Sequence, residues 1–245
     1  MLVLLPPSET KAEGGDGPSL DLSALSFPEL EPVREKLVSA VADLAGDVPA
    51  SLAALGLSER QSGEVARNAA VRTSPTMPAL SRYTGVLYDA LDVKGMKPAE
   101  RKRAAGRLAV ASALFGLVRA DDLVPAYRLS ASSTIPGAGP LGALWRPVLE
   151  PVLAGLGGLV VDMRSGPYAG LARIPGAVTV RVVSEQSGGR RLAVTHFNKA
   201  HKGKLARALA CAPGEPDTLR KMTTVAAKAD LRLEQTGPNA LELVI

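Results

Sequence analysis

The first apolar run, Leu2–Leu5, stops at Pro6-Pro7, which predicts a strand followed by a polar loop from Ser8 to Pro18. After Ser26-Phe27-Pro28 the spacing changes. Leu30, Val33, Leu37, Val41 and Leu44 recur at helical intervals and predict a helix over 28–45. Further helices are expected near 50–55, 59–71, 79–91, 98–118 and 144–156. The pattern then becomes strand-like, with short apolar runs at 159–163, 177–183 and 191–197. The last two flank Gln186-Ser-Gly-Gly, a good hairpin loop. Helices over 199–210 and 216–228 precede two closing strands, 231–234 and 241–244. Strands at both chain ends with helices between them, and no linker, predict one α+β domain over 1–245.

The segment from Ser112 to Leu129 is the most distinctive. Leu108, Ala111, Leu114 and Phe115 read as the buried face of a helix that starts at Pro98 and ends at Gly116. Arg119-Ala-Asp-Asp then supplies turn and cap chemistry for a restart, so 98–130 is expected to form a helix-hairpin-helix element. Such an element suits phosphate, because backbone N–H groups and cations lie together. The plainer reading is an ordinary helical connection in the core.

Charge is unevenly spread. Residues 1–61 hold ten acids against four bases, a net −6, which leaves +11 for the rest of a chain whose total is +5. Two basic clusters supply much of that excess. One is Lys94, Lys97, Arg101, Lys102, Arg103 and Arg107. The other is Arg190, Arg191, Lys199, Lys202, Lys204 and Arg207, within an acid-free stretch from Gln186 to Gly214. Separated clusters of this kind point to a polyanion, or else to solvated helix faces. A single cysteine, Cys211, rules out an internal disulfide and a Cys-rich metal site. No run reaches the roughly 18 apolar residues of a membrane span, and the first residues do not form a signal peptide, so a cytoplasmic protein without membrane contact is expected.

Standard catalytic signatures are missing: there is no Walker A loop, Gly-x-Gly-x-x-Gly, Gly-x-Ser-x-Gly or His-Glu-x-x-His. His196 and His201 are the only histidines and lack companions for a metal site, so neither metal nor cofactor is expected. Three small constellations remain: Ser81-Arg82-Tyr83-Thr84-Gly85, Asp162-Met-Arg-Ser165-Gly-Pro-Tyr168 after a strand, and Lys199-Ala-His201-Lys202-Gly203-Lys204 opening a helix. Each reads either as turn and cap chemistry or as part of a polar site. Few aromatics are present, and several fall in these polar motifs.

Taken in order, Pro7 and Thr10, Tyr83-Thr84-Gly85, the block Phe115-Gly116 to Tyr127-Arg128-Leu129, Leu144-Trp145, Asp162, Ser165, Tyr168, Lys199, Lys202-Gly203 and Arg207 resemble the YaaA family of bacterial peroxide stress-response proteins over nearly the whole length. The resemblance implies a compact α+β fold with a helix-hairpin-helix element, a basic cleft that binds DNA, and a role in limiting oxidative damage to DNA and protein with lowered free iron. Some positions depart from the family pattern. Glu9 stands where the family carries a lysine, with Lys11 two positions on. Asp162 replaces a usual Asn, Gly-Pro167 removes an acid, and Ala120 replaces Pro after Arg119.

Two functions follow as expectations. In the first, Lys102, Arg103, Arg107, Arg119, Arg128, Lys199, Lys202, Lys204 and Arg207 contact DNA phosphates with little sequence preference. In the second, the chain is an enzyme acting on a nucleotide or a damaged base, glycosylase- or lyase-like. Tyr83, Tyr168 and Trp145 then stack on the base, Asp162 acts as base or electrostatic stabiliser, and Arg128 and Ser165 hold polar edges. The two separate on whether Tyr83, Arg128, Asp162, Ser165 and Tyr168 converge on one pocket.

Overall fold

Leu2–Leu5 is buried at every position, the pattern of a strand covered on both faces. The computed structural model describes residues 1–194 and 198–245. In chain order its elements are β1 (Leu2–Leu5), α1 (Glu31–Leu44), α2 (Val48–Leu55), α3 (Gly63–Ala69), β2 (Met77–Pro78), α4 (Ala79–Arg82) and α5 (Val86–Leu91). Then come α6 (Pro98–Arg107), β3 (Leu108–Ser112), β4 (Gly116–Arg119), β5 (Leu123–Val124), α7 (Leu141–Ala154), β6 (Val160–Asp162) and α8 (Gly166–Ala169). The chain closes with β7 (Val178–Glu185), β8 (Arg191–Ala193), α9 (Asn198–Cys211), α10 (Leu219–Ala227), β9 (Arg232–Gly237) and β10 (Ala240–Val244).

The main sheet runs β4-β3-β1-β6-β7-β10-β9, with β8 paired to β7. The strands β3, β1, β6, β7 and β10 are mutually parallel, while β4, β9 and β8 pair antiparallel. From β1 the chain goes to β3 on one side and, after α7, to β6 on the other. The crevice at the C-terminal ends of β1 and β6 is therefore a topological switch point, where ligands bind in open α/β sheets.

Two sequence expectations are corrected here. The first is the helix-hairpin-helix: after α6 the chain turns extended at Leu108, and β3 and β4 form a β-hairpin paired from Ala109–Arg119 to Ser112–Gly116. Apolar runs of this length do not distinguish a buried strand from a buried helix, and pairing with β1 through Leu108–Val110 decided for the strand. The turn is fixed by Ser112, whose Oγ accepts from the N–H groups of Leu114 (3.2 Å) and Phe115 (2.9 Å), and by Gly116 at φ +71°. The Asp122 carboxylate accepts from the Arg119 N–H at 2.8 Å, closing the turn after β4 rather than capping a helix. The second is the helix over 79–91, which breaks into α4 and α5. Lys11 and Tyr83 form an isolated antiparallel bridge, Tyr83 is extended, and Gly85 adopts φ +99° against the Ser8 and Thr10 side chains.

Candidate functional site

The arginines of the predicted phosphate set are largely engaged within the fold. Arg107 is 8% exposed, and its guanidinium donates to the carbonyls of Ala210 (3.2 Å), Ala212 (2.7 Å) and Gly214 (2.9 Å) and to Glu215 (2.9 Å). Arg103 donates to the Cys211 carbonyl at 2.9 Å. Together they satisfy the orphan carbonyls at the C-terminus of α9, where cations also suit the helix dipole. Arg207 does the same for α5 through the carbonyls of Leu91 (2.8 Å), Asp92 and Gly95 (3.1 Å). Arg119 donates to the Gly106 carbonyl at 3.3 Å and lies over the Phe27 ring. Lys102, Lys199 and Lys204 are exposed, and Lys202 reaches the Met163 carbonyl at 3.2 Å. Lys102 shares a hollow with Met1 at the N-terminal end of β1, whereas Lys202 stands at the C-terminal end of β6. About 14 Å of α9 lies between Lys202 and Cys211, whose carbonyl Arg103 meets, and Arg207 stands between them against Leu91 and Gly95. This placement does not confirm the basic cleft that the family resemblance implies.

The catalytic candidates meet only in part. Asp162 is taken up by Arg164, whose backbone N–H, Nε and Nη2 reach its carboxylate at 3.0, 2.9 and 2.9 Å. That pair is nearly buried, and Arg164 also donates to the Tyr168 carbonyl at 3.3 Å, so Asp162 holds the start of α8 in place. Ser165 is exposed and makes no capping bond. Trp145 is fully buried and donates to the Ala113 carbonyl, which removes it from any stacking role. Tyr83 is equally enclosed. Its hydroxyl lies 2.8 Å from that of Tyr127, which lies 2.8 Å from Ser112 Oγ, a hydroxyl chain ending on the β3–β4 turn. Burial pushes the Tyr83 phenol up to about 12 and raises Tyr127 and Tyr88 well above the usual tyrosine range. Arg82, read from sequence as a polar-site cation, is buried and donates to the carbonyls of Val124, Ala12, Gly14 and Pro75.

What the sequence reading passed over is the loop after β1. Lys11 is 5% exposed, and its ammonium donates to the carbonyls of Ser8 (2.9 Å) and Glu9 (3.3 Å). It lies 4.2 Å from the centre of the Tyr127 ring and 5.5 Å from that of Tyr83. Burial pushes this amine down to about 7; Glu9 opposes the shift and Arg128 adds to it. Glu9 Oε1 accepts from the Tyr168 hydroxyl at 3.3 Å, while Oε2 is buried without a partner. The only signal in the sequence was the displacement of a lysine from position 9 to 11.

Glu9 and Arg128 face a cavity of about 420 Å³, walled by Ser130, Ser132, Ser133 and the end of α2. Arg128 is set by Asn68, which is buried and bonds both its N–H and its C=O at 2.8 Å. The Ser130 hydroxyl lies 3.0 Å from that of Ser132 and 3.1 Å from that of Ser133, and all three residues line the cavity. A cation, hydroxyls and an opposing carboxylate in a hollow of this size suit a small polar ligand carrying an anion. Tyr168, Tyr83 and Arg128 thus gather around Glu9 and Lys11 at the switch point, with Asp162 one step behind and Ser165 outside. A larger cavity, about 870 Å³, opens between α9 and α10 beside Cys211, away from the strand ends. Burial raises the Cys211 thiol. Among the described residues no three His, Cys, Asp or Glu side chains gather as for a metal ion, and no helix is long and apolar enough to cross a membrane. His196 lies outside the described residues.

The chain is similar throughout to known bacterial proteins. A UPF0246 protein of Corynebacterium efficiens is 48% identical over 238 residues, covering 96% of this chain and 95% of that protein. One from Corynebacterium glutamicum is 44% identical over 99% of this chain and 98% of its own length. One from Streptomyces coelicolor is 41% identical over 97% and 94%. The sequence pattern of the family described as "Peroxide stress protein YaaA" matches residues 1–230, and the chain belongs to this family.

Proposed function

We propose that the protein serves a cytoplasmic peroxide-stress role by taking a nucleotide, or a nucleobase extruded from DNA together with its phosphate, into the cavity lined by Glu9 of the loop after β1, the end of α2 and residues 128–134. Arg128, whose backbone is held by Asn68 and which lines the cavity with Glu9 and three serines, carries this reading. Its guanidinium and the serine hydroxyls meet the phosphate, and Glu9 accepts from a ring or exocyclic N–H. Between the two functions expected from sequence, the geometry favours the nucleotide or nucleobase ligand over a broad basic surface. DNA contact then comes from the exposed lysines, with Lys199 opening α9 and Lys204 one turn on. Their contacts are to phosphates and carry little sequence preference.

Calorimetric titration with mononucleotides and with single-stranded and duplex oligonucleotides tests this. Arg128→Ala is expected to weaken mononucleotide binding by about 10- to 100-fold, the cost of a charge-assisted hydrogen bond. Lys199→Glu with Lys204→Glu is expected to weaken oligonucleotide binding and lower its salt dependence, leaving mononucleotides unaffected. Mononucleotide affinity unchanged by Arg128→Ala overturns the assignment.

A further inference from the structure

We propose that Lys11 is an imine-forming nucleophile, and that the cavity beside it accepts a ligand carrying both an aldehyde and a phosphate. The proposal rests on the reading of that cavity as a ligand site. Three observations carry it. Lys11 is buried, yet among the described residues it forms no ion pair: its ammonium faces two carbonyl oxygens and the faces of Tyr127 and Tyr83. An amine held this way is a poor structural cation, because burial without a counter-ion disfavours its charged form. Glu9 stands between the amine and the cavity: its carbonyl accepts from Lys11 at 3.3 Å, and Glu9 itself lines the cavity next to which Lys11 is packed. That carboxylate also holds one buried oxygen without a partner, free to take a proton.

The step balances without an oxidant or reductant. The neutral amine adds its lone pair to the aldehyde carbon, forming a C–N bond as the carbonyl π pair moves to oxygen. Acting through one water, Glu9 takes a proton from the nitrogen, and the oxygen takes from solvent the proton that the ammonium had released, giving a carbinolamine. Return of the proton to that hydroxyl expels water and leaves an iminium at Lys11. Arg128 and the serine hydroxyls hold the phosphate meanwhile. The charges around the amine are Glu9, Arg128, Glu64 and Arg67. With the amine lowered to about 7 by burial, a substantial neutral fraction exists at neutral pH, about a thousandfold more than for an ordinary lysine.

The full chain incubated with D-ribose 5-phosphate and sodium cyanoborohydride, which reduces an iminium to a stable secondary amine, tests this by intact mass and peptide mapping. A single adduct mapping to Lys11 is expected, its rate rising between about pH 6 and about pH 8 as the amine loses its proton. In Lys11→Arg the adduct is expected to fall at least about tenfold. Glu9→Gln, which keeps the amine, is expected to slow labelling, and ribose without phosphate to label more weakly. Labelling spread over surface lysines with Lys11 unmodified overturns the proposal, and the mapping decides this in the natural chain even where Lys11→Arg fails to fold. Mononucleotide binding without Lys11 labelling overturns this proposal alone. Lys11 labelling without mononucleotide binding overturns the nucleotide assignment alone.

Discussion

Gly116→Ala is the sharpest test of the hairpin that replaced the expected helix. Gly116 holds φ +71°, which an alanine adopts only at a cost of about 1–2 kcal/mol. A Cβ built there lies 2.6 Å from Trp145 Cζ3 and 3.0 Å from Cε3 and Cη2. Trp145 cannot retreat easily, because it is fully buried and tied to the Ala113 carbonyl at 2.8 Å. Overpacking of this kind costs about 1–3 kcal/mol, so the sum is about 3 kcal/mol. For a chain of this size that lowers Tm by roughly 6–12 °C. Trp145 is the only tryptophan, so its fluorescence during urea denaturation reports on the site itself. Repeating the change in a Trp145→Phe background, read by circular dichroism, separates the two causes. The backbone cost of about 1–2 kcal/mol persists there, while the clash with the outer ring atoms is relieved. A loss below about 1 kcal/mol, or an equal loss in both backgrounds, refutes the reasoning.

Three further outcomes follow from the buried cations and the thiol. Arg82→Met strands carbonyls of Val124, Ala12, Gly14 and Pro75, two of them in the polar loop, and should cost about 3–5 kcal/mol, read as a lower urea midpoint. Lys11 is lowered to about 7 in the fold, so the unfolded chain binds more protons there from about pH 7 upward and its contribution to stability rises with pH. Denaturation midpoints should therefore climb between about pH 7 and about pH 9.5, by at most about 1.4 kcal/mol per pH unit, and the climb should flatten in Lys11→Met; equal slopes in both proteins contradict the assignment. Burial raises the Cys211 thiol, so iodoacetamide should modify it more slowly at neutral pH than a free cysteine, and fast modification contradicts that placement.

The periodicities of the first half located α1, α2 and α3, and the β-rich close with α9 between its strands was also legible, because each of these elements carries its own local signal. Family membership was legible for the same reason: ordered short motifs survive in sequence whatever their fold. The run from Leu108 to Val118 was not, since a continuous buried stretch has no period, and β1 was the partner that made it a strand. Nor did sequence distinguish a cation that meets solvent from one that satisfies helix-end carbonyls. Arg103, Arg107 and Arg207 look like ligands in a basic run and become caps once α5, α6 and α9 pack together. The sequence by itself determined the elements outside 79–91 and 108–119, the charge asymmetry and the family. Only the tertiary structure decided that Glu9, Lys11, Tyr83, Tyr127, Arg128 and Tyr168 share one place, because that depends on the order of strands in the sheet. Parallel pairing of β1 with β6 brings loops distant in sequence to the same edge, and the burial it creates brings the Lys11 amine down to about 7.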